Sequence, residues 1–226
     1  MSEPPTVTLA VREADGLLTA ACPQELRCLS SSVLGGGLGA VRTFANLQVP
    51  PGYARLDPEA HLREATAHLP GPTVAMMTAA PVARFQDVGH GTARVVATVG
   101  LGHPTAAAGA RPAGDTPGTI NLFIVVSVAL TDAGLAGALQ TAVEAKAQAL
   151  AHARVPARNA GGWATGTASD ALAVACPVAS RSSKAVAFAG PATAQGADLA
   201  QAVFHAVRLG ILRAATGFAG GGSGAP

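Results

Sequence analysis

A lysine set among leucines is the first residue of this sequence to invite a chemical reading. At about 100° per residue, the alanine-rich stretch after Asp132 places Leu135, Leu139, Ala142 and Leu150 on one apolar stripe, with Lys146 in its middle. Glu144 falls on the opposite face with Gln140, Thr141, Gln148 and His152, about 160° from Lys146. An ammonium in apolar surroundings snorkels to water, pairs with an acid, or stabilises developing negative charge. Two polar clusters abut apolar segments: Ser30-Ser31-Ser32, and Thr165-Gly166-Thr167-Ala168-Ser169-Asp170. Each is either turn chemistry or a set of N–H and hydroxyl groups gathered around a polar ligand. The run Gly35-Gly36-Gly37-Leu38-Gly39 joins two strands rather than a strand and a helix. It therefore reads as a turn or a close approach of backbone to a ligand, not as a dinucleotide fingerprint. His90 and His103 each adjoin a glycine at the end of an apolar segment, where functional loops sit. His61, His68, His152 and His205 read as surface residues on polar helix faces.

These residues must be positioned by short strands and few helices. Thr6 to Glu13 and Leu17 to Cys22 flank Asp15-Gly16, a hairpin signal. Further strands are expected over 26–33, 40–49, 73–78, 82–88, 93–99, 119–130, 172–176 and 184–188. Helices are expected over 57–69, 132–154 and 197–215. Asp57 and Asp132 read as their caps, and Pro58 as a first helical residue. Residues 103–117 read as a loop, and 217–226 as a disordered Gly/Ser-rich tail after a single domain over 1–216. Strands that do not alternate regularly with helices predict an α+β fold. Its core is one large mixed or mostly antiparallel sheet, or two stacked sheets, with about three helices outside.

The 226 residues include 15 basic and 13 acidic side chains, a net charge of +2. That balance excludes an electrostatic nucleic-acid binder, and 49% hydrophobic content excludes a disordered chain. Mean hydropathy is +0.35, yet the longest apolar run, 122–126, or 122–130 with Ser127 allowed, falls short of the about 20 residues a spanning helix needs. No signal peptide is visible. Three cysteines, Cys22, Cys28 and Cys176, with no C-x-x-C, argue against a disulfide framework or a zinc site. They read as core residues of a reduced, cytoplasmic protein. Phosphate-loop, nucleophile-elbow and zinc-protease motifs are absent. A surface so poor in charge is compatible with a homodimer.

Several of these segments occur together in one order: Ser31-Ser32-Val33-Leu34-Gly35-Gly36-Gly37, Thr78-Ala79-Ala80, Gly118-Thr119-Ile120-Asn121, Glu144-Ala145-Lys146 and Ala164 to Asp170. Tyr53 followed by Asp57-Pro58, and Gly190-Pro191 before the last helix, extend the pattern. The order resembles the adenosylcobinamide amidohydrolase family over residues 25 to 215. The chain departs from the family where Gly35 replaces an asparagine, where Val143 replaces a threonine, and where Ala168 and Ser169 stand for Gly-Thr.

The resemblance implies hydrolysis of the amide joining aminopropanol to the corrin ring of adenosylcobinamide, giving adenosylcobyric acid for cobalamin salvage. It implies no cofactor and no protein metal site, the cobalt belonging to the substrate. Amide hydrolysis needs an activated nucleophile, a stabilised oxyanion and a proton for the amine. Asp170 or Glu144 are candidate general bases, and Lys146 or N–H groups near Gly118 and Thr119 candidate oxyanion donors. Ser32 or Ser31, activated by Lys146, is an alternative nucleophile to water. Direct water attack is preferred, since no Ser/His/Asp arrangement is discernible. Asn121 is a candidate for orienting the substrate amide. Ser31, Gly36, Gly37, Thr78, Gly118, Thr119, Thr165 and Thr167 complete the expected binding set. The alternatives are a corrinoid-binding protein without turnover and a hydrolase of a different amide.

Overall fold

Asp15 and Gly16 have φ of 52° and 77°, both positive as a type I′ hairpin turn requires. They join β1 (Ala10–Ala14) to β2 (Leu17–Ser30). The computed structural model describes residues 8–109, 118–180 and 184–218, with side chains to residue 214. The start of the first expected strand, most of the 103–117 loop and the tail beyond residue 218 lie outside the described residues.

β2 is one strand where the sequence suggests two. Its pairing with β3 (Gly37–Gln48) passes from Ala21↔Thr43 to Leu26↔Val41. The intervening bulge absorbs Pro23, which has no N–H for a ladder. Gly37 and Gly39 are paired residues of β3, so the expected glycine loop shrinks to 31–36. β3 then leads through α1 (Pro58–Thr66) to a parallel neighbour, β4 (Thr73–Thr78). A 3₁₀ turn (Val82–Arg84) replaces the first part of the strand expected at 82–88, and β5 is Gln86–His90. β6 (Ala93–Gly100) pairs antiparallel with β5 and with β8 (Thr119–Val126). β8 leads through α2 (Asp132–His152) to a second parallel neighbour, β10 (Ala171–Cys176). α3 spans Ala194–Phe218, longer than expected and into the segment read as tail. β7 (Pro104–Thr105) and β9 (Gly166–Thr167) form a separate two-stranded pair. The strand expected at 184–188 reduces to a bridge between Val186 and Leu130.

The large sheet is mixed and eight-stranded, in the order β4-β3-β2-β10-β8-β6-β5, with β1 beside β2. The fold is α+β, as read. Three strand spacings separate β3 from β8, about 14 Å in a flat sheet. Yet Phe44 of β3 stacks on Phe123 of β8 at 5.1 Å. The sheet therefore folds over on itself, one continuous sheet acting as two layers. Between the layers lie Phe44, Phe123, Leu18, Leu26, Val74 and Met76. α2 and α3 cover one outer face, over Val95, Leu122, Ile124 and Val174. α1 covers the other through Leu62 on Ala45 and Ala75.

Helix ends depart from the sequence reading. Thr131 caps α2 by accepting from Gly134 N at 3.1 Å, and Asp132 pairs with Arg27. Asp57 makes no side-chain cap and binds Arg55 instead. Thr141 is buried rather than on the polar face, donating to Ala189 O at 2.9 Å. α2 meets the 186–189 segment on a second flank, which widens its buried arc beyond the lysine stripe. All three cysteines are free and buried. Burial pushes the Cys22 thiol up to about 11 and the Cys28 thiol up to about 12.

Truncating either ring removes the contact that closes the layers. Phe44→Ala or Phe123→Ala should each lower unfolding free energy by about 3–5 kcal/mol, read from urea denaturation. Together they should cost less than the sum, because they share one contact.

Candidate functional site

Chain entering and leaving the folded sheet converges at one end of the space between its layers. The Thr119 and Ser169 hydroxyls lie there, 2.8 Å apart. Two depressions meet at Thr119, Pro51 and Ala79. The smaller, about 220 Å³, is walled by Val33, Val49, Tyr53, Met76, Thr78, Ser169 and Ala171. The larger, about 330 Å³, is walled by Ala80, Pro81, Arg84, Gly100, Gly118 and Arg213.

Asp170 organises the segments behind the hydroxyls. Its Oδ1 accepts from Ile120 N at 2.9 Å, and its Oδ2 from Thr167 N at 3.1 Å. The Lys146 ammonium donates to Oδ2. The Thr167 hydroxyl lies between Oδ1 and the Gly118 carbonyl, within hydrogen-bond reach of both. The Lys146 and Asp170 side chains are only 7% and 9% exposed, so the pair is shut off from water. Gly166 leaves room for it: a Cβ there would lie 2.5 Å from Asp170 Oδ2 and 2.9 Å from Lys146 Nζ. One carboxylate thus ties α2 to the start of β8 and to the 166–169 turn, placing Thr119 and Ser169 side by side.

The structure brings Lys146, Asp170, Thr167, Gly118 and Thr119 together, and Thr78 faces Thr119 across the smaller depression. Thr78 also accepts from Ala80 N at 3.0 Å. Neither Lys146 nor Asp170 lines a depression. Glu144 stands apart, exposed and held by Gln140 Nε2 at 3.0 Å, as the helical projection requires. Ser31 spends its groups on β10: its N donates to Leu172 O at 2.9 Å, and its Oγ accepts from Leu172 N at 3.1 Å. Ser32 is buried, with its Oγ 2.5 Å from that of Ser30. Gly36 belongs to the turn beside it, where a Cβ would lie 2.4 Å from Ser32 O, and Gly37 is the first residue of β3. Gly35, with φ of 73°, brings the loop so close to β4 that a Cβ would lie 2.6 Å from Thr73 O. Thr165 is exposed and accepts from Ala107 N at 2.9 Å.

Asn121 is buried between the layers. Its amide N–H groups go to Met77 O at 2.8 Å and Asn46 Oδ1 at 3.0 Å, and its Oδ1 has no partner. Two acceptors fix the direction in which the amide points. Asn46 in turn donates to Thr98 Oγ1 at 2.8 Å. Sequence reasoning passed over Asn46 and Thr98, although each is a polar residue at a core-facing position of an apolar strand. It also passed over Arg84 and Arg213, which no local pattern connects. His61 is not simply solvated: its Nδ1 lies 2.9 Å from the Tyr53 hydroxyl. His103 adjoins Gly118, whose Cβ would lie 2.5 Å from His103 N, and its Nδ1 is buried without a partner. His90 is exposed and lines neither depression. Among the described residues no cluster of three His, Cys, Asp or Glu could hold a metal, and no helix is long and apolar enough to cross a membrane.

A family model described as adenosylcobinamide amidohydrolase matches residues 4–217. A protein of that name from Halobacterium salinarum is 34% identical over 215 residues, covering 87% of this chain and 84% of that protein.

Leaving one charge of the buried pair alone should be costly. Lys146→Met and Asp170→Asn should each destabilise by about 3–5 kcal/mol, read by chemical denaturation. The double variant Lys146→Met/Asp170→Asn should recover part of that loss.

Proposed function

This chain belongs to the adenosylcobinamide amidohydrolase family and is a hydrolase, and from that premise we propose its reaction. It hydrolyses the amide that links aminopropanol to the corrin ring of adenosylcobinamide, and the adenosylcobyric acid formed re-enters cobalamin synthesis. The observation that carries the reading is the Thr119–Ser169 hydroxyl pair at the junction of the two depressions, backed by the buried Lys146–Asp170 pair. Water adds to the scissile carbonyl carbon, the C–N bond breaks, and the amine departs with a proton. Thr119 and Ser169 hold the carbonyl oxygen or the attacking water by donating and accepting hydrogen bonds.

The lone pairs of Asp170 are occupied by Ile120 N, Thr167 and Lys146. We therefore assign Asp170 and Lys146 as positioning residues in the closed state. A catalytic part for either requires the pair to open. Asn121 and Thr78 line or support the pocket for the substrate's amide arm. Ser31, Ser32, Gly36 and Gly37 act through the position of Val33, which faces the smaller depression.

The size of the site fits an arm rather than a macrocycle. The smaller depression admits the chain that bears the scissile amide, and the flat ring lies outside it. Val33, in the wall of that depression, is 49% exposed. Apolar surface of this kind marks a ligand-binding rim.

Incubation of purified protein with adenosylcobinamide, followed by liquid chromatography with mass detection, should show adenosylcobyric acid and aminopropanol. Thr119→Val and Ser169→Ala should each lower kcat by about 10²-fold with little change in corrinoid binding. Glu144→Gln should leave turnover as it is. Corrinoid binding with intact substrate would replace the hydrolase reading by a carrier. Wild-type rates in both hydroxyl variants would remove their assignment.

A further inference from the structure

The larger depression carries charge that the hydrolysis described above leaves unused. Arg84 closes the 3₁₀ turn, Arg213 lies in the last turns of α3, and both line the depression. Arg213 Nη1 donates to the carbonyl of Phe85, the residue after Arg84, at 3.3 Å. Both cations are thereby tied to the same short stretch of chain. No carboxylate is among the described residues of this wall, and Arg84 belongs to none of the ion pairs found among the described residues. The rest of the lining is alanine, proline, valine and glycine, with Thr119 as its hydroxyl.

An apolar wall focuses the field of a cation such as Arg84 into the depression. An oxyanion in the depression matches the donor fork of a guanidinium. We infer that this depression is an oxyanion-binding subsite, taking a carboxylate or phosphate group carried by one side of the scissile amide. Its link to the corrinoid rests on the hydrolase reading; the anion site itself does not. Thr119 borders both depressions, so an anion held by the arginines lies beside the bond being cut. Hydrolysis of a neutral amide converts R–CO–NH–R′ and water into R–COO⁻ and R′–NH₃⁺. The new carboxylate is drawn toward the guanidiniums and the ammonium is repelled. A phosphate on the amino-alcohol side would use the same donors from the other end.

The test is calorimetric titration of the full chain with inorganic phosphate at low salt, without corrinoid. Saturable binding should weaken about tenfold or more in Arg84→Gln and in Arg213→Gln. Arg84→Lys should keep part of it, and thermal melts should show that each variant is folded. Two further ligands locate the source of the anion. If adenosylcobyric acid binds more tightly than its uncharged primary amide, and Arg84→Gln abolishes the difference, the anion belongs to the acyl side. If the O-phosphate of aminopropanol shows the same dependence on Arg84, it belongs to the leaving side. No saturable phosphate binding by the wild type, or equal affinity in the folded Arg84→Gln variant, overturns the subsite. A protein that binds phosphate through Arg84 but never cleaves adenosylcobinamide keeps the subsite and loses the hydrolase reading.

Discussion

A flat sheet would hold Phe44 and Phe123 about 14 Å apart; their centroids are separated by 5.1 Å. Everything that makes a site follows from that closure. Bending brings β3 and β4 over β8 and β6, so residues remote along the ladder face one another across a thin apolar layer. Where the layer ends, its apolar side chains give way to Asn46, Thr78, Thr98, Thr119 and Asn121, all buried. Burial alone would make such a set costly, and hydrogen bonds across the fold offset much of that cost. Asn121 reaching Met77 and Asn46 is such a bond, made between strands that are not neighbours in the sheet.

Asp170 fastens the opposite wall. A carboxylate that accepts from backbone N–H groups and a buried ammonium is well compensated for loss of water. Its partners come from three places in the chain: α2, the start of β8, and the turn before β10. Glycine at position 166 lets the chain run close beside both carboxylate and ammonium, where a Cβ would crowd them. The same economy of space explains Gly35, which packs against the Thr73 carbonyl. A loop so close to β4 has no room for a side chain there, whatever other members of the family carry.

The sequence displayed some of this and concealed the rest for physical reasons. The position of Lys146 among leucines left it to snorkel, to pair or to act, and the structure buries it in a pair; the helical projection separated it from Glu144. The acid that meets it could not be chosen by spacing, since Asp170 lies 24 residues away and reaches it only after a crossover. Asp15-Gly16 announced a hairpin, and the α+β class followed from many strands and few helices. The sequence suggested separate strands over 17–22 and 26–33 because a bulge at Pro23 and a strand end look alike in one dimension. Thr131 rather than Asp132 caps α2 because Arg27 claims the aspartate, a contact 105 residues long. The folding over of the sheet was invisible, because alternation tells which face is apolar and not which strands those faces will meet.

The two partners on one edge of β2 impose an order on assembly. β1 covers the first part of that edge immediately, through a two-residue turn. The remaining part, Arg27 to Ser30, pairs with β10, and Ser30 meets Leu172, 142 positions further along the chain. During synthesis that edge of β2 emerges early and stays open, its other edge paired with β3, until the crossover helix and β10 have left the ribosome. Contacts so distant in sequence slow folding and leave an open strand edge exposed meanwhile. Arg27 and the Ser30-Ser31-Ser32 run occupy that edge, polar residues that discourage pairing with another chain until its own partner arrives.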